Sequence, residues 1–303
     1  MSKREILIVG HGSRVPEAVE QFNAFAAALS EYIDKPVQTC FLELADPDMA
    51  AGLSGAAGRV GDGGEVAVLP LFLGGATHLK TDVAAAVQWA REQFPAVTFG
   101  YGTALGCHAR LVELLDVRVR EALAQDPDAL SPEESIVLVV GRGSSDPDSN
   151  GEVAKTARLL YEKRPYQSVE VAFQKVARPD VAEGIRRCTA LGAKQVVIAP
   201  YLLFTGLVDR DVEEVSDKAA AEHGIHVVKA HHLGAHPLMV EVAAQRLEEV
   251  LEGTANMTCD LCKYRFPMAG YEHQVGMPQE THHLYGGHHH EHDHNHHDHH
   301  HER

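Results

Sequence analysis

Val9-Gly10-His11-Gly12-Ser13-Arg14 returns 131 residues later as Val140-Gly141-Arg142-Gly143-Ser144-Ser145. Three further pairs follow in the same order. Phe41-Leu42-Glu43-Leu44-Ala45-Asp46-Pro47-Asp48 is matched by Phe173-Gln174-Lys175-Val176-Ala177-Arg178-Pro179-Asp180 at an offset of 132 residues. Leu69-Pro70-Leu71-Phe72-Leu73 is matched by Ala199-Pro200-Tyr201-Leu202-Leu203 at 130, and Leu105-Gly106-Cys107-His108 by Leu233-Gly234-Ala235-His236 at 128. Four ordered matches at a nearly constant offset mean that one unit occurs twice, and a period this long excludes a solenoid.

Within each unit, strand and helix signals alternate. Apolar runs at 6–9, 37–42, 66–73 and 97–99 read as buried strands, and 15–33, 46–60, 79–94 and 108–124 carry apolar residues at helical spacing. After the acidic, proline-containing stretch 126–135 the alternation restarts, with strands near 136–140, 169–173, 195–203 and 225–229. Such alternation predicts parallel sheets covered on both faces. The expected fold is therefore α/β: duplicated domains at 1–125 and 136–252, each a parallel sheet flanked by helices, joined by a linker at 126–135. Residues 253–303 lack apolar periodicity, and ten of the fourteen residues from His288 to His301 are histidine. This segment is expected to be a disordered, metal-binding tail.

A chain of 303 residues, 45% hydrophobic and 23% charged, can build two proper cores. The net charge of −16 argues against a nucleic-acid partner, which would need a basic face. No apolar run approaches the ~18 residues of a membrane span. Met1-Ser2-Lys3-Arg4-Glu5 leads straight into Ile6-Leu7-Ile8-Val9, too short a run for a signal peptide, so the expected compartment is the cytoplasm. An odd number of cysteines, at 40, 107, 188, 259 and 262, is no disulfide framework.

In a parallel sheet, ligands bind beyond the carboxyl ends of the strands. His11 follows the first strand between two glycines, which permit a tight turn and close approach of a ligand. His78 follows the third strand after Gly74-Gly75-Ala76-Thr77. The second unit has Arg142 opposite His11 and Val208 opposite His78, so both histidines are missing from it together. His108 and His236, in contrast, occur in both units and are expected to serve helix starts. Two residues present in one copy only point to a single functional site in that copy. Glu43, at the end of the second strand, can face the same crevice, where the second unit has Lys175. Cys259 and Cys262 form a Cys-x-x-Cys pair, half of a metal or iron–sulfur site. The tail imidazoles suit cobalt, nickel, copper or zinc.

Gly10-His11-Gly12-Ser13-Arg14, Phe41-Leu42-Glu43, and Leu69-Pro70-Leu71-Phe72-Leu73 followed by His78 resemble the sirohydrochlorin chelatases. The duplication, Met257-Thr258-Cys259-Asp260-Leu261-Cys262 and the histidine-rich C-terminus resemble the long, cobalt-inserting form of that family. The resemblance covers essentially the whole chain. It implies two chelatase-like α/β domains related by a pseudo-two-fold axis, with the tetrapyrrole sirohydrochlorin held between them as partner and substrate. It implies Co²⁺ as the substrate ion, His11 and His78 as the metal-contacting catalytic pair with Glu43 beside them, and an iron–sulfur cluster as a cofactor at Cys259 and Cys262. Arg14, Leu73, Gly74, Gly75, Ala76, Thr77 and Lys80 form the expected substrate-binding set, with Arg142 and Lys175 as further cations facing the substrate's carboxylates. The chain is expected as a monomer or homodimer without nucleic-acid or membrane partners. Two competing readings stand beside this one: the same insertion with iron, for sirohaem, and a metal storage or delivery protein.

Overall fold

The computed structural model describes residues 3–256, 262–265 and 267–277. The first half runs β1 (Arg4–Gly10), α1 (Pro16–Ile33), β2 (Val37–Phe41), α2 (Met49–Val60), β3 (Glu65–Pro70), α3 (Ala84–Gln93), β4 (Thr98–Tyr101) and α4 (Ala109–Gln125). The second repeats it as β5 (Ser135–Gly141), α5 (Pro147–Lys163), β6 (Ser168–Phe173), α6 (Val181–Ala190), β7 (Gln195–Pro200), α7 (Leu207–His223), β8 (His226–Lys229) and α8 (Pro237–Glu252). Both sheets are parallel, in the orders β2-β1-β3-β4 and β6-β5-β7-β8. Registers match as well: Gly10 pairs with Phe41 and Val9 with Pro70, as Gly141 pairs with Phe173 and Val140 with Pro200.

The alternation of side chains along β1 sets the layers. Ile6 and Ile8 enter a central core shared by both halves, while Leu7 and Val9 enter an outer core under α2 and α3. In β5, Val137 and Val139 face the central core, and Ile136, Leu138 and Val140 face α6 and α7. Each fully buried aliphatic side chain contributes about 1.5–3 kcal/mol. Because both strand faces are covered, the strands read as unbroken apolar runs.

The last helix of each half crosses over. α4 packs on β7, β8 and α5, whereas α8 packs on β3, β4 and α1. The crossing is reciprocal in detail. The Arg118 guanidinium donates to Leu233 O at 2.7 Å, and that of Arg246 donates to Leu105 O at 3.0 Å. A Cβ on Gly100 or Gly102 would come within 2.8 Å of Val250, so those glycines admit α8 onto the first sheet.

His108 and His236 cap these two helices. Each uses Nδ1 to accept a backbone N–H two residues on, from Arg110 at 3.1 Å and Leu238 at 3.2 Å. Asp48 and Asp180 cap α2 and α6 through Oδ1, which accepts the N–H three residues on, from Ala51 and Glu183. The apolar runs 66–73 and 195–203 are only partly strand. β3 and β7 stop at Pro70 and Pro200, and the residues beyond them, Leu71 to Leu73 and Tyr201 to Leu203, turn into the cleft between the halves. Among the described residues, no helix is long and apolar enough to cross a membrane.

After α8 the chain continues against the body of the protein, against the expectation that nothing past Gly253 builds packing. Ala255 packs on the central core, and Cys262 and Lys263 are buried. Lys263 Nζ lies 5.2 Å from the Tyr264 ring centroid and 5.5 Å from that of Tyr271. Cys259 and the histidine-rich run lie outside the described residues.

Candidate active site

The strand order reverses between β1 and β3, the position at which open α/β sheets bind ligands. His11 leaves β1 there, and His78 follows β3. The His11 turn depends on its neighbours. Gly12 has φ +91°, and a Cβ on it would stand 1.7 Å from Glu43 O. Only glycine allows the turn to lie this close to the end of β2. The contact is closed by Glu43 N donating to His11 O at 3.0 Å and Leu42 N donating to Gly10 O at 2.9 Å. Glu43 Oε1 thereby stands 3.5 Å from His11 Nδ1. Ser13 Oγ accepts from Val15 N at 3.0 Å, closing the turn before α1.

His78 sits on helix rather than in a loop. Residues 77 and 78 open a helical segment that runs through a π turn, Leu79–Val83, into α3. Single π turns recur at functional sites. This one brings Asp82 Oδ2 to 2.8 Å from His78 Nδ1, with the Asp82 side chain wholly buried. Asp82 escaped the sequence reading, although His78-x-x-x-Asp82 is the spacing at which helical side chains meet.

The two rings pack edge to face, with centroids 5.1 Å apart and planes at 89°. His11 Nδ1 points to Gly12 O and the Glu43 carboxylate, and its Nε2 is buried with no hydrogen-bond partner among the described residues. Burial is the main cause that lowers the His11 pKa below its ordinary value. The charges of His78 and Arg142 add to this, and Glu43 opposes it. Burial thus favours the neutral ring, and a proton on Nδ1 facing Gly12 O and Glu43 leaves the lone pair on Nε2.

Both histidines open onto a cleft of about 710 Å³ between the halves. Phe22, Phe41, Leu71, Tyr201, Leu202 and Phe204 wall it, and Arg14 and Arg142 stand exposed on its border. Of the expected substrate-binding set, Arg14, Leu73, Gly74 and Ala76 line the cleft, whereas Gly75, Thr77 and Lys80 do not. The Lys80 ammonium is held by Asp146 and Asp148, and Lys175 pairs with Asp211 at 2.8 Å, so neither cation faces the cleft. The apolar walls were missed because they are assembled from distant segments of both halves.

The iron–sulfur expectation gains no support. Cys262 is a single buried thiol, its motif partner Cys259 is outside the described residues, and among those described no three His, Cys, Asp or Glu side chains gather to hold a metal.

The profile of the CbiX family matches residues 5–122 and 136–250. The chain is 38% identical over 266 residues to a sirohydrochlorin cobaltochelatase of Priestia megaterium, covering 86% of this chain and 85% of that one. It is 32% identical over 252 residues to a sirohydrochlorin ferrochelatase of the same organism, covering 83% and 92%. Among solved structures, SirB from Bacillus subtilis with Fe³⁺ superposes with a TM-score of 0.72 at 30% identity, over 84% of this chain and 99% of that one. The sirohydrochlorin chelatase SirB from Bacillus subtilis subspecies spizizenii in complex with cobalt gives 0.68 at 28% identity, over 83% and 96%.

Proposed function

The chain belongs to the CbiX family of sirohydrochlorin chelatases, and on that premise we propose that it inserts Co²⁺ into sirohydrochlorin with His11 and His78 as the catalytic pair. The observation that carries the site assignment is the edge-to-face contact of these two rings in the cleft, made by residues that only one of the two repeats possesses. The choice of cobalt is supported by the higher identity to the cobaltochelatase than to the ferrochelatase of the same organism.

Insertion exchanges one divalent ion for two pyrrolic protons, so the site must strip water from an ion and take up two protons. Neutral imidazole does both in turn. Asp82 accepts from His78 Nδ1–H, and Gly12 O and Glu43 face the Nδ1 of His11. Both rings then keep Nε2 as the lone-pair nitrogen, oriented by the carboxylate on the other side, as is usual for metal-binding histidines. The lone pairs replace water on the incoming Co²⁺. Once the ion has passed to the pyrrolic nitrogens, each Nε2 is free to take one proton. The resulting imidazolium ions are stabilised by Glu43 and Asp82, one carboxylate for each proton. The apolar walls receive the macrocycle, and Arg14 and Arg142 meet its carboxylates, which reconciles a polyanionic substrate with an acidic protein.

A second reading, iron in place of cobalt, is favoured by the ferrochelatase relatives and by the Fe³⁺ in the superposed SirB structure. The experiment is anaerobic incubation with metal-free sirohydrochlorin and either Co²⁺ or Fe²⁺, followed through the macrocycle's absorption. The cobalt reading requires the higher kcat/KM with Co²⁺. A higher value with Fe²⁺ transfers the assignment to iron, and no insertion of either metal leaves a metal-binding protein.

A further inference from the structure

The turn that carries His78 is not held by its own half alone. Two residues on, Lys80 Nζ lies 3.0 Å from Asp146 Oδ2 and 3.0 Å from Asp148 Oδ2. Both acids belong to the second half, where Asp146 caps α5 by accepting from Asp148 N. The side chains of Lys80, Asp146 and Asp148 are only 9%, 0% and 8% exposed. The preceding loop is docked on the same helix start. A Cβ on Gly74 would stand 2.8 Å from Ser149 Oγ, and one on Gly75 3.5 Å from Asp148 Oδ2.

The duplication supplies an internal comparison. Lys80 corresponds to Arg210 and Asp148 to Glu17, at offsets of 130 and 131 residues. That second pair also joins the halves, but at 3.5 Å and with side chains 58% and 57% exposed. The counterpart of Asp146 is Val15, so a second acid exists on the His78 side only. An exposed, stretched pair holds little. A buried cation between two carboxylates is committed, because breaking it strands buried charge. The strong member of the pseudo-symmetric set therefore stands beside the histidine, and the weak one where the histidine is missing.

We propose that Asp146 and Asp148 are positioning residues for metal insertion: through Lys80 they hold the His78 turn at a fixed separation from His11. This is what the second half, which lacks both histidines, contributes to the metal side of the reaction. The inference rests on the chelatase reading of His11 and His78. It also explains why Lys80 is absent from the cleft despite lying two residues from His78.

The test is the double variant Asp146→Asn, Asp148→Asn, which keeps the Lys80 charge and nearly the same shape. Three quantities are read on the full-length protein: the ligand-field absorption of Co²⁺ bound without tetrapyrrole, kcat and KM for sirohydrochlorin, and the melting temperature. The expected result is an altered Co²⁺ spectrum and a kcat lowered about 10- to 100-fold, as misplaced metal ligands cost, with KM for sirohydrochlorin little changed. Lys80→Arg should retain most of kcat where Lys80→Met does not. Glu17→Gln with Arg210→Met should leave both spectrum and kcat as they were. A double variant with wild-type spectrum and kcat overturns the proposal. So does one with a lowered KM, which would show that the freed Lys80 binds the macrocycle's carboxylates. Should the double variant fail to fold, Asp148→Asn alone carries the same readouts. A wild-type protein that binds Co²⁺ but never inserts it would sink the chelatase reading instead, while the spectral comparison would still report on the His78 turn.

Discussion

His78 Nδ1 stands 2.8 Å from Asp82 Oδ2, one helical turn away, and the Asp82 side chain is completely buried. A buried carboxylate in this position favours the proton on Nδ1 and leaves Nε2 available, in the proposed reaction, to ligate the ion and accept a proton. Asp82→Asn removes the charge and offers an amide N–H to Nδ1, which favours the opposite tautomer. Insertion should fall about 10- to 100-fold, the usual cost of losing such a partner, with the fold retained. Rates and circular dichroism of the purified variant check this. An Asp82→Asn enzyme at full rate would mean that the His78 tautomer does not matter.

Acid should inactivate the enzyme through His11. Its pKa is lowered by burial first, then by the charges of His78 and Arg142, while Glu43 raises it. A lowered pKa keeps the ring neutral further into acid, so the rate should hold near pH ~6.5, where an ordinary histidine is half protonated, and fall only below it. Glu43→Gln removes the opposing charge and should move the acid limb further down. Arg142→Met removes a lowering charge and should move it up. kcat/KM profiles of the three proteins test the signs, and an acid limb that shifts up with Glu43→Gln would contradict this account.

Gly12→Ala and Gly143→Ala should separate fold from chemistry. A Cβ at Gly12 meets Glu43 O at 1.7 Å, and one at Gly143 meets Lys175 O at 1.9 Å, at φ +91° and +85°. The left-handed backbone alone costs an L residue on the order of 1–3 kcal/mol, and the collision with a carbonyl adds to it. Both variants should therefore melt well below the parent. Only Gly12→Ala should also lose activity per folded molecule, because its turn sets the Glu43–His11 distance. Equal loss of specific activity in the two would show that the second turn is as close to the chemistry as the first.

The strands, the duplication and the two single-copy histidines were legible because each is written in local pattern: apolar runs, matched motifs and residues absent from one copy. The exchange of α4 and α8 was not. An amphipathic helix shows that one face is buried, but not whether the sheet beneath it lies in its own half or in the other. Lys80 was misread for a related reason. Its partners lie 66 and 68 residues away, and a lysine near a site looks the same in sequence whether it faces substrate or a buried acid. The helical placement of His78 was hidden because Gly74 and Gly75 signal a loop, which does run up to Ala76. Asp82 was readable in principle, since His78 and Asp82 are four residues apart in a helical pattern.

Shortening the C-terminus should divide it into a structural part and a metal-supplying part. Composition alone suggests that everything past Gly253 is dispensable. The structure places Cys262 and Lys263 inside, with Lys263 between Tyr264 and Tyr271, and Tyr264 beside Thr77, Asp146 and Lys80. That segment therefore lies within electrostatic reach of the ion pairs that anchor the His78 turn, and we expect it to act as their cover. A contact of Lys with an aromatic ring contributes about 0.5–2 kcal/mol, and the burial of the segment adds to it. A chain ending at Met277 keeps this cover and loses residues 278–303, which contain the histidine-rich run. It should match the full-length protein in melting temperature and in rate at saturating cobalt, but need more cobalt to reach half that rate, because many imidazoles in tandem raise the local ion concentration. A chain ending at Glu252 loses the cover as well, so its melting temperature and its saturating rate should both fall. Cobalt titrations and thermal melts of the three chains decide the matter. If the chain ending at Glu252 is as stable and as fast as the one ending at Met277, the segment from 262 to 277 does not support the site. If the chain ending at Met277 needs no more cobalt than the full-length protein, the histidine run does not feed it.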